Sequence, residues 1–211
     1  MPQFKLHGFA ESGNTYKAAL MLQLCGCDWT QVNVDFFNGE TRGSAYRADV
    51  NEMGEVPVLV HGDRKLAQSG AILTWLAQET GQFGGETDDE RLAILSWLLF
   101  DNHKFTSYLA TLRFLVALAK TGPTPVTEFL AQRAAGALAI VEKHLEGRRF
   151  ILGQRPTIAD ISMCGYLFHS ETYGIDWSLY ANIRHWLDAI AAIPGWKAPY
   201  DLLIRAPEKR G

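Results

Sequence analysis

The first third of the chain alternates between strand-like and helix-like spacings of hydrophobic residues. Residues 4–8 alternate apolar and polar positions and end at a glycine, which predicts a short strand. Ser12-Gly13-Asn14 then opens a segment with apolar residues at helical spacing from Ala18 to Leu24, and Gly26 ends it, so we expect a helix there. Residues 29–36 alternate again and predict a second strand.

A hairpin and a further helix complete this region. Residues 55–60 predict a third strand, and Gly62-Asp63 has the composition of a tight turn into a fourth strand over residues 65–67. Ser69 is then placed to cap a helix that runs to Thr80. The order βαβ, hairpin and helix predicts a small α/β domain over residues 1–81.

The composition changes at the glycine-rich, acidic segment 81–89, which we interpret as a domain boundary. Beyond it the chain shows only helical patterns. The predicted helices cover about residues 90–120, a segment capped by Thr124 and Pro125, a segment opened by the capping-box sequence 157–160, and residues 181–193. We therefore expect an all-helical domain over residues 88–211.

Composition narrows the class of protein. The 211 residues are 47% hydrophobic and 20% charged with a net charge of −3, which is typical of a globular protein and argues against nucleic acid or an anionic membrane as a partner. Three cysteines do not form a secreted disulfide framework, and residues 1–11 lack a signal-peptide pattern, so a reducing cytoplasm is expected. The apolar run 92–100 is too short to span a bilayer, and the six histidines show no metal-ligand spacing.

Four motifs occur in a characteristic order along the chain. They are Ser12-Gly13-Asn14 after the first strand, the run 54–59 (GEVPVL), Gln68-Ser69 at a helix start, and the run 157–161 (TIADI). Together they resemble the cytosolic glutathione transferase family, in its bacterial-type branch with Ser and Asn at the active site. The resemblance implies a thioredoxin-like first domain, an all-helical second domain, a homodimer, glutathione as co-substrate and a small hydrophobic electrophile as its partner.

Val56-Pro57 is the first site element. From the residues alone, a proline in a strand pattern either begins an edge strand or occupies a special position, because it has no N–H to donate. The resemblance implies a cis bond before Pro57, which is rare enough to be a specific expectation. It also implies that the backbone N–H and C=O of Val56 pair with the cysteinyl part of glutathione.

Gln68 and Ser69 stand at a predicted helix N-terminus, where free N–H groups and the helix dipole favour an anion. Taken alone, Ser69 is equally consistent with a simple helix N-cap. The resemblance implies that Ser69 and Gln68 bind the γ-glutamyl end of glutathione.

Ser12 and Asn14 begin the first predicted helix, and on pattern alone they are a turn followed by a cap. The resemblance implies that Ser12 donates a hydrogen bond to the glutathione sulfur, with Asn14 as a second donor. Lowering a thiol pKa by about two units requires about 2.7 kcal/mol. One hydrogen bond to a charged group supplies about 1.5–3 kcal/mol, so a serine donor is sufficient in magnitude.

Glu52 and Glu55 depart from the family pattern, which has a proline and often a lysine at these places. The two carboxylates would repel the glycyl carboxylate of glutathione, and Arg42, Arg47 or Lys17 are candidates for compensating them.

Aromatic residues crowd the long predicted helix, and most are expected in the core or a dimer interface. A few of them, with Phe9 and Tyr166, are candidates for an apolar substrate pocket. Three functions remain open: conjugation of glutathione to an electrophile, glutathione-dependent disulfide or peroxide reduction, and a non-catalytic interaction module.

Overall fold

The computed structural model describes residues 3–210, which form two compact units. One unit contains the described residues up to Gln82 together with those from Pro194 onward, and the other contains Phe83–Ile193. The first unit is α/β and the second is helical, which confirms the predicted fold class.

The first unit is built on a four-stranded mixed sheet. Its order is β2-β1-β3-β4, with β1 and β2 parallel and the other two pairs antiparallel. The strands are β1 (Phe4–Gly8), β2 (Trp29–Asn33), β3 (Val58–His61) and β4 (Arg64–Ala67). The parallel pair is joined through helix α1 (Gly13–Leu24), as a parallel connection requires. The second strand ends three residues earlier than the pattern predicted, because the chain enters a turn at Phe36.

Alternation in β1 decides which side chains enter the core of this unit. Phe4 and Leu6 are buried, whereas Lys5 is exposed. Helices α1 and α3 (Ser69–Thr80) pack together and contribute fully buried side chains such as Leu20 and Ile72. Each such side chain stabilises the fold by about 1.5–3 kcal/mol. Between these helices, α2 (Ser44–Asp49) is a short helix in the segment that the sequence left as loop or short helix.

The second unit begins with a long helical segment that contains two π-helical stretches. Helix α4 (Asp88–Phe100) continues through the π-turn Asp101–Phe105 into α5 (Thr106–Arg113), which ends in a second π-turn, Phe114–Leu118. The single predicted helix over 90–120 is therefore interrupted. The buried Asp101 carboxylate accepts hydrogen bonds from Thr106 Oγ1 at 2.6 Å and from Ser162 Oγ at 2.5 Å.

The later helices begin at the predicted caps. Thr124 caps α6 (Pro125–His144), with proline at its first position. Thr157 and Asp160 form a reciprocal capping box at the start of α7 (Ile158–Met163). Helix α8 is Ala181–Ala191, and a short 3₁₀ turn, Trp177–Leu179, precedes it.

The structure differs from the expected division at the C-terminal end. The sequence placed residues 88–211 in one helical domain, but the segment from Pro194 onward belongs to the first unit. It contains helix α9 (Pro199–Leu202) and then an extended stretch, residues 203–210, called here the C-terminal strap. Tyr16 donates a hydrogen bond to the carbonyl of Lys197 at 2.9 Å, and Gln31 bonds both backbone groups of Ile204. Such long-range pairing has no periodic signal in the sequence.

Candidate functional site

The loop between β1 and α1 places Ser12 at the N-terminus of α1. Ser12 has an extended backbone (φ −85°, ψ 109°), and its Oγ accepts a hydrogen bond from the N–H of Thr15 at 3.2 Å. Capping uses a lone pair of the hydroxyl, so its hydrogen is left without an acceptor among residues 3–210. The predicted cap is confirmed, and the hydroxyl is still able to donate.

Close packing between strand and helix holds this loop. A side chain at Gly8 would place its Cβ 2.4 Å from Oγ1 and Cγ2 of Thr15, so only glycine fits there. The fully buried Thr15 Oγ1 has no hydrogen-bond partner within the described part of the chain. A buried hydroxyl without a partner costs about 1–3 kcal/mol, so the fold tolerates a penalty directly beside the Ser12 loop.

The peptide bond between Val56 and Pro57 is cis, which confirms the expectation from the family resemblance. Strand β3 begins only at Val58, and neither the N–H nor the C=O of Val56 has a hydrogen-bond partner within residues 3–210. Val56 is half-buried. It therefore offers one donor and one acceptor for pairing with an extended peptide.

Two hydrogen bonds to one carbonyl hold the segment before Val56. Tyr46 Oη donates to the C=O of Glu55 at 3.0 Å, and Asn51 Nδ2 donates to the same oxygen at 3.1 Å. Burial, with a smaller contribution from the charge of Glu40, raises the pKa of Tyr46 to about 12. Tyr46 therefore stays a neutral donor at ordinary pH. The sequence predicted neither bond: Tyr46 lies outside the motifs, and Asn51 opens the run 51–57 that is compared with the family pattern, but nothing in that run indicates this partner.

Gln68 and Ser69 stand at the N-terminus of α3, as the sequence predicted. Gln68 is the N-cap residue and its side chain makes no capping bond. Its backbone has φ 67° and ψ 114°, a conformation that costs a non-glycine residue about 1–3 kcal/mol and is concentrated at functional sites. The prediction that Ser69 caps the helix is wrong, since Ser69 is the first helical residue.

Ser69 instead connects two of the predicted motifs. Its Oγ donates to Asn14 Oδ1 at 3.4 Å. The side chains of two predicted site residues, from the start of α1 and the start of α3, are therefore in contact. Asn14 keeps its NH₂ group available as a donor, because only its oxygen is used in this bond.

Glu55 contacts the predicted glutathione ligand Gln68. Gln68 Nε2 donates to Glu55 Oε2 at 3.0 Å. Of the three cations proposed to compensate the glutamates, Arg47 lies beside this loop and donates to the carbonyl of Glu52 at 3.1 Å. Lys17 is only 1% exposed and is excluded from contact with a ligand at the surface, and the guanidinium of Arg42 lies against Gly39.

The aromatic residues divide between core and surface. Phe9 is 4% exposed and stacks on Phe36 at 4.8 Å between ring centroids, so it belongs to the core of the first unit rather than to a pocket wall. Phe105 is fully buried, and Tyr166 is nearly so. Trp97, Phe100 and Tyr108 are half-buried. Phe9 is therefore withdrawn as a candidate for lining a substrate pocket.

Metal-binding clusters and membrane-spanning helices are both absent from the described part of the chain. Residues 3–210 contain no cluster of histidine, cysteine or acidic side chains able to hold a metal ion. Nor do these residues form a helix that is both long and apolar enough to cross a bilayer.

A thioredoxin-like unit with a cis-proline loop and a helical unit together make up the fold of the glutathione S-transferase class. The family model described as "Glutathione S-transferase, N-terminal domain" matches residues 2–78, and the model described as "Glutathione S-transferase, C-terminal domain" matches residues 63–189. The chain belongs to the glutathione S-transferase family.

Similar proteins agree with this assignment. A crystal structure of a glutathione S-transferase from Pseudomonas fluorescens has a TM-score of 0.87 and 32% identity, covering 93% of this chain and 98% of that one. Glutathione S-transferase F14 of Arabidopsis thaliana is 27% identical over 92% of this chain and 81% of its own length. Disulfide-bond oxidoreductase YfcG of Escherichia coli is 27% identical over 88% of this chain and 89% of its own length.

Proposed function

We propose that the chain binds glutathione along the Val56 loop and the start of α3, and that Ser12 activates its thiol for attack on an electrophile. The observation that carries this proposal is the pair of unpaired backbone groups on Val56, which match the N–H and C=O of a cysteinyl residue in an extended peptide. The family assignment supports glutathione as that peptide.

The γ-glutamyl end is assigned to the N-terminus of α3. The carboxylate would accept from free backbone N–H groups of the first turn, where the helix dipole favours an anion. It would also accept from the Ser69 hydroxyl once that hydrogen leaves Asn14 Oδ1. Gln68 would bind the same end once its side chain leaves Glu55. Arg47 is the nearest candidate for the glycyl carboxylate, because it lies beside the loop 52–54.

The sulfur is assigned to Ser12, with Asn14 as a second donor. The Ser12 hydroxyl hydrogen is unused within the described chain, and the residue stands at the positive end of the α1 dipole. A thiolate held there attacks an electrophilic carbon: the new C–S bond forms as the leaving group departs with its electron pair. Ser12 stabilises the thiolate by hydrogen bonding and does not itself act as a base.

Disulfide reduction is the second candidate function. It is favoured by the name of the relative from Escherichia coli. Position 12 and the residues next to it in sequence contain no cysteine, so only glutathione thiols would react. Comparing the turnover of an aryl halide with that of a mixed glutathione disulfide distinguishes the two reactions.

A non-catalytic role is favoured only by the acidic loop. Glu52 and Glu55 oppose a glycyl carboxylate, and Glu55 already binds Gln68. Calorimetric titration with glutathione decides this question: absence of heat at millimolar ligand eliminates both enzymatic proposals.

We also propose a homodimer, a small hydrophobic electrophile and a cytoplasmic location. The dimer is supported by one face of α4, where Leu92, Leu95 and Leu99 are 61%, 48% and 61% exposed at helical spacing. The electrophile is supported by the family assignment. The location is supported by three free cysteines, as expected of a reducing compartment.

The direct test of Ser12 uses the ultraviolet absorbance of the bound thiolate as a function of pH. Ser12→Ala should raise the pKa of bound glutathione by about one to two units, since it removes one hydrogen bond to a charged group. Ser96→Ala, on the exposed side of α4, is the matched control and should leave it unchanged. An unchanged pKa in Ser12→Ala refutes the assigned role.

A further inference from the structure

The C-terminal strap is bound to the two residues that directly precede Ser12. The N–H of Ala10 donates to the C=O of Ile204 at 2.9 Å. The N–H of Ala206 donates to Glu11 Oε2 at 3.0 Å. The loop that presents Ser12 is therefore fixed from outside by a segment almost two hundred residues away in sequence.

Glu11 is buried, with 7% of its surface exposed, so its carboxylate requires polar partners. Besides Ala206, Arg205 Nη1 lies 3.5 Å from Glu11 Oε1. The guanidinium of Arg205 stacks on Tyr200, 3.5 Å from the ring centroid, which restricts its position. The strap thus supplies both a backbone donor and a cation to the residue adjoining Ser12.

Apolar packing joins the strap to the second half of the proposed site. Ala206 is 8% exposed and belongs to a buried cluster with Phe9, Val34 and Tyr46. Val56 packs against the same cluster. The strap therefore contributes Ala206 to the same apolar cluster against which Val56 packs.

Side chains of β2 bind the backbone of the strap. Gln31 Oε1 accepts from the N–H of Ile204 at 2.7 Å, and Gln31 Nε2 donates to its C=O at 3.0 Å. Asn33 Nδ2 donates to the C=O of Arg205 at 2.9 Å. These bonds fix the register of the strap, so that Ile204 and Ala206 face Ala10 and Glu11.

We propose that the C-terminal strap positions the Ser12 loop and thereby sets the ionisation of the thiol bound there. Ile204 and Ala206 are positioning residues, since they act through Ala10 and Glu11 and touch no reacting atom. The inference rests on the proposed role of Ser12. A hydrogen bond to a thiolate loses strength steeply when its distance or angle changes, so a loosened loop gives a weaker donor.

The test compares two truncated chains. One ends after Leu203 and loses the hydrogen bonds of Ile204 to Ala10 and of Ala206 to Glu11, while its matched control ends after Pro207 and keeps both. The control loses contacts made by residues 208–210, including the ion pair of Arg210 with Asp35. The pKa of bound glutathione, kcat and KM are measured for both and for the full chain.

The shorter chain should show a thiol pKa raised by about one unit and a kcat at neutral pH reduced about tenfold. Its kcat should recover at a pH above the new pKa, because the thiolate then forms without help. The control should match the full chain. Equal pKa values in the two truncated chains, or a kcat loss that high pH does not restore, overturn the proposal.

Point variants keep the test decisive if the shorter chain does not fold. Glu11→Gln retains an acceptor oxygen for the N–H of Ala206, and Glu11→Ala removes it. The alanine variant should raise the thiol pKa and the glutamine variant should largely restore it. If the two variants behave alike, the bond to Ala206 has no positioning role.

Failure of the strap and failure of the proposed function are separable. If the full chain binds no glutathione, the proposed function itself is wrong. If Ser12→Ala shifts the thiol pKa and neither the truncation nor Glu11→Ala does so, only the strap proposal falls.

Discussion

Gln68 donates a hydrogen bond from Nε2 to Oε2 of Glu55 over 3.0 Å. The residue assigned to the γ-glutamyl end is thus engaged by one of the two carboxylates expected to repel the glycyl end. In the proposed binding mode, glutathione and Glu55 compete for the amide group of Gln68. This competition makes affinity for glutathione adjustable at a residue that takes no part in the chemistry.

Glu55→Ala should tighten glutathione binding by about threefold to tenfold, because it frees Gln68 and removes a like charge. Calorimetric titration measures the effect. Glu52→Ala is the control: Glu52 is also exposed and acidic, but no hydrogen bond joins its side chain to Gln68. It should give a smaller gain from reduced repulsion alone. Equal gains in the two variants would show that competition for Gln68 is unimportant.

Ser12→Ala should lower kcat/KM for conjugation about tenfold to a hundredfold at neutral pH. The deficit should shrink as pH rises through the thiol pKa of the variant, since the thiolate then forms without a donor. Ser12→Thr keeps a hydroxyl and should retain most activity. A pH-independent deficit would indicate a role in packing rather than in ionisation.

Asp160→Ala should reduce the free energy of unfolding by about 3–5 kcal/mol. Asp160 Oδ1 accepts from the N–H of Ile151 and from Trp186 Nε1, each at 2.8 Å, and Oδ2 accepts from the N–H of Thr157 at 2.8 Å. Its removal leaves these buried donors unsatisfied. Chemical denaturation measures the loss, and Asp176→Ala, at an exposed 3₁₀ cap, should be far milder. Similar losses in both variants would contradict the importance of burial.

The stabilising contribution of Tyr46 to the folded protein should decline above pH 10. Because burial raises the pKa of Tyr46 to about 12, the unfolded chain loses this proton first as pH rises. The contribution is complete below about pH 10 and declines until about pH 12. Tyr46→Phe has no such proton. The stability difference between wild type and Tyr46→Phe, measured by urea denaturation, should therefore be constant from pH 7 to 9 and narrow above pH 10.

Leu95→Asp should convert the proposed dimer to a monomer, because it places a charge in the exposed leucine face of α4. Light scattering or sedimentation measures the mass. Ile140→Asp, at a residue 50% exposed on α6, is the matched control and should leave the assembly intact. Dissociation in the control alone would place the interface elsewhere, and a monomeric wild type would remove the dimer proposal.

Local patterns in the sequence were sufficient for most elements. Alternation predicted β1, and the caps at Ser12, Thr124 and Thr157 mark the true starts of their helices. These features depend on neighbours within a few residues, so they are visible in sequence. Ser69 was misplaced by one position, because the unusual backbone of Gln68 makes that residue the cap.

The motif order also identified the family and the cis bond before Pro57. Residues that act at long range remained hidden. Tyr46 and Asn51 both donate to the carbonyl of Glu55, and no local pattern in the sequence predicts either bond.

By itself the sequence determined the two-part architecture, the family and the residues around Ser12, Val56 and Gln68, because each depends on local propensity or a compact motif. Only the tertiary structure decided what those residues contact. It joined Ser69 to Asn14, turned Gln68 toward Glu55, and brought the C-terminal strap back to Ala10 and Glu11. Such contacts form between segments far apart in the chain, and chain folding sets their distances rather than any periodic pattern.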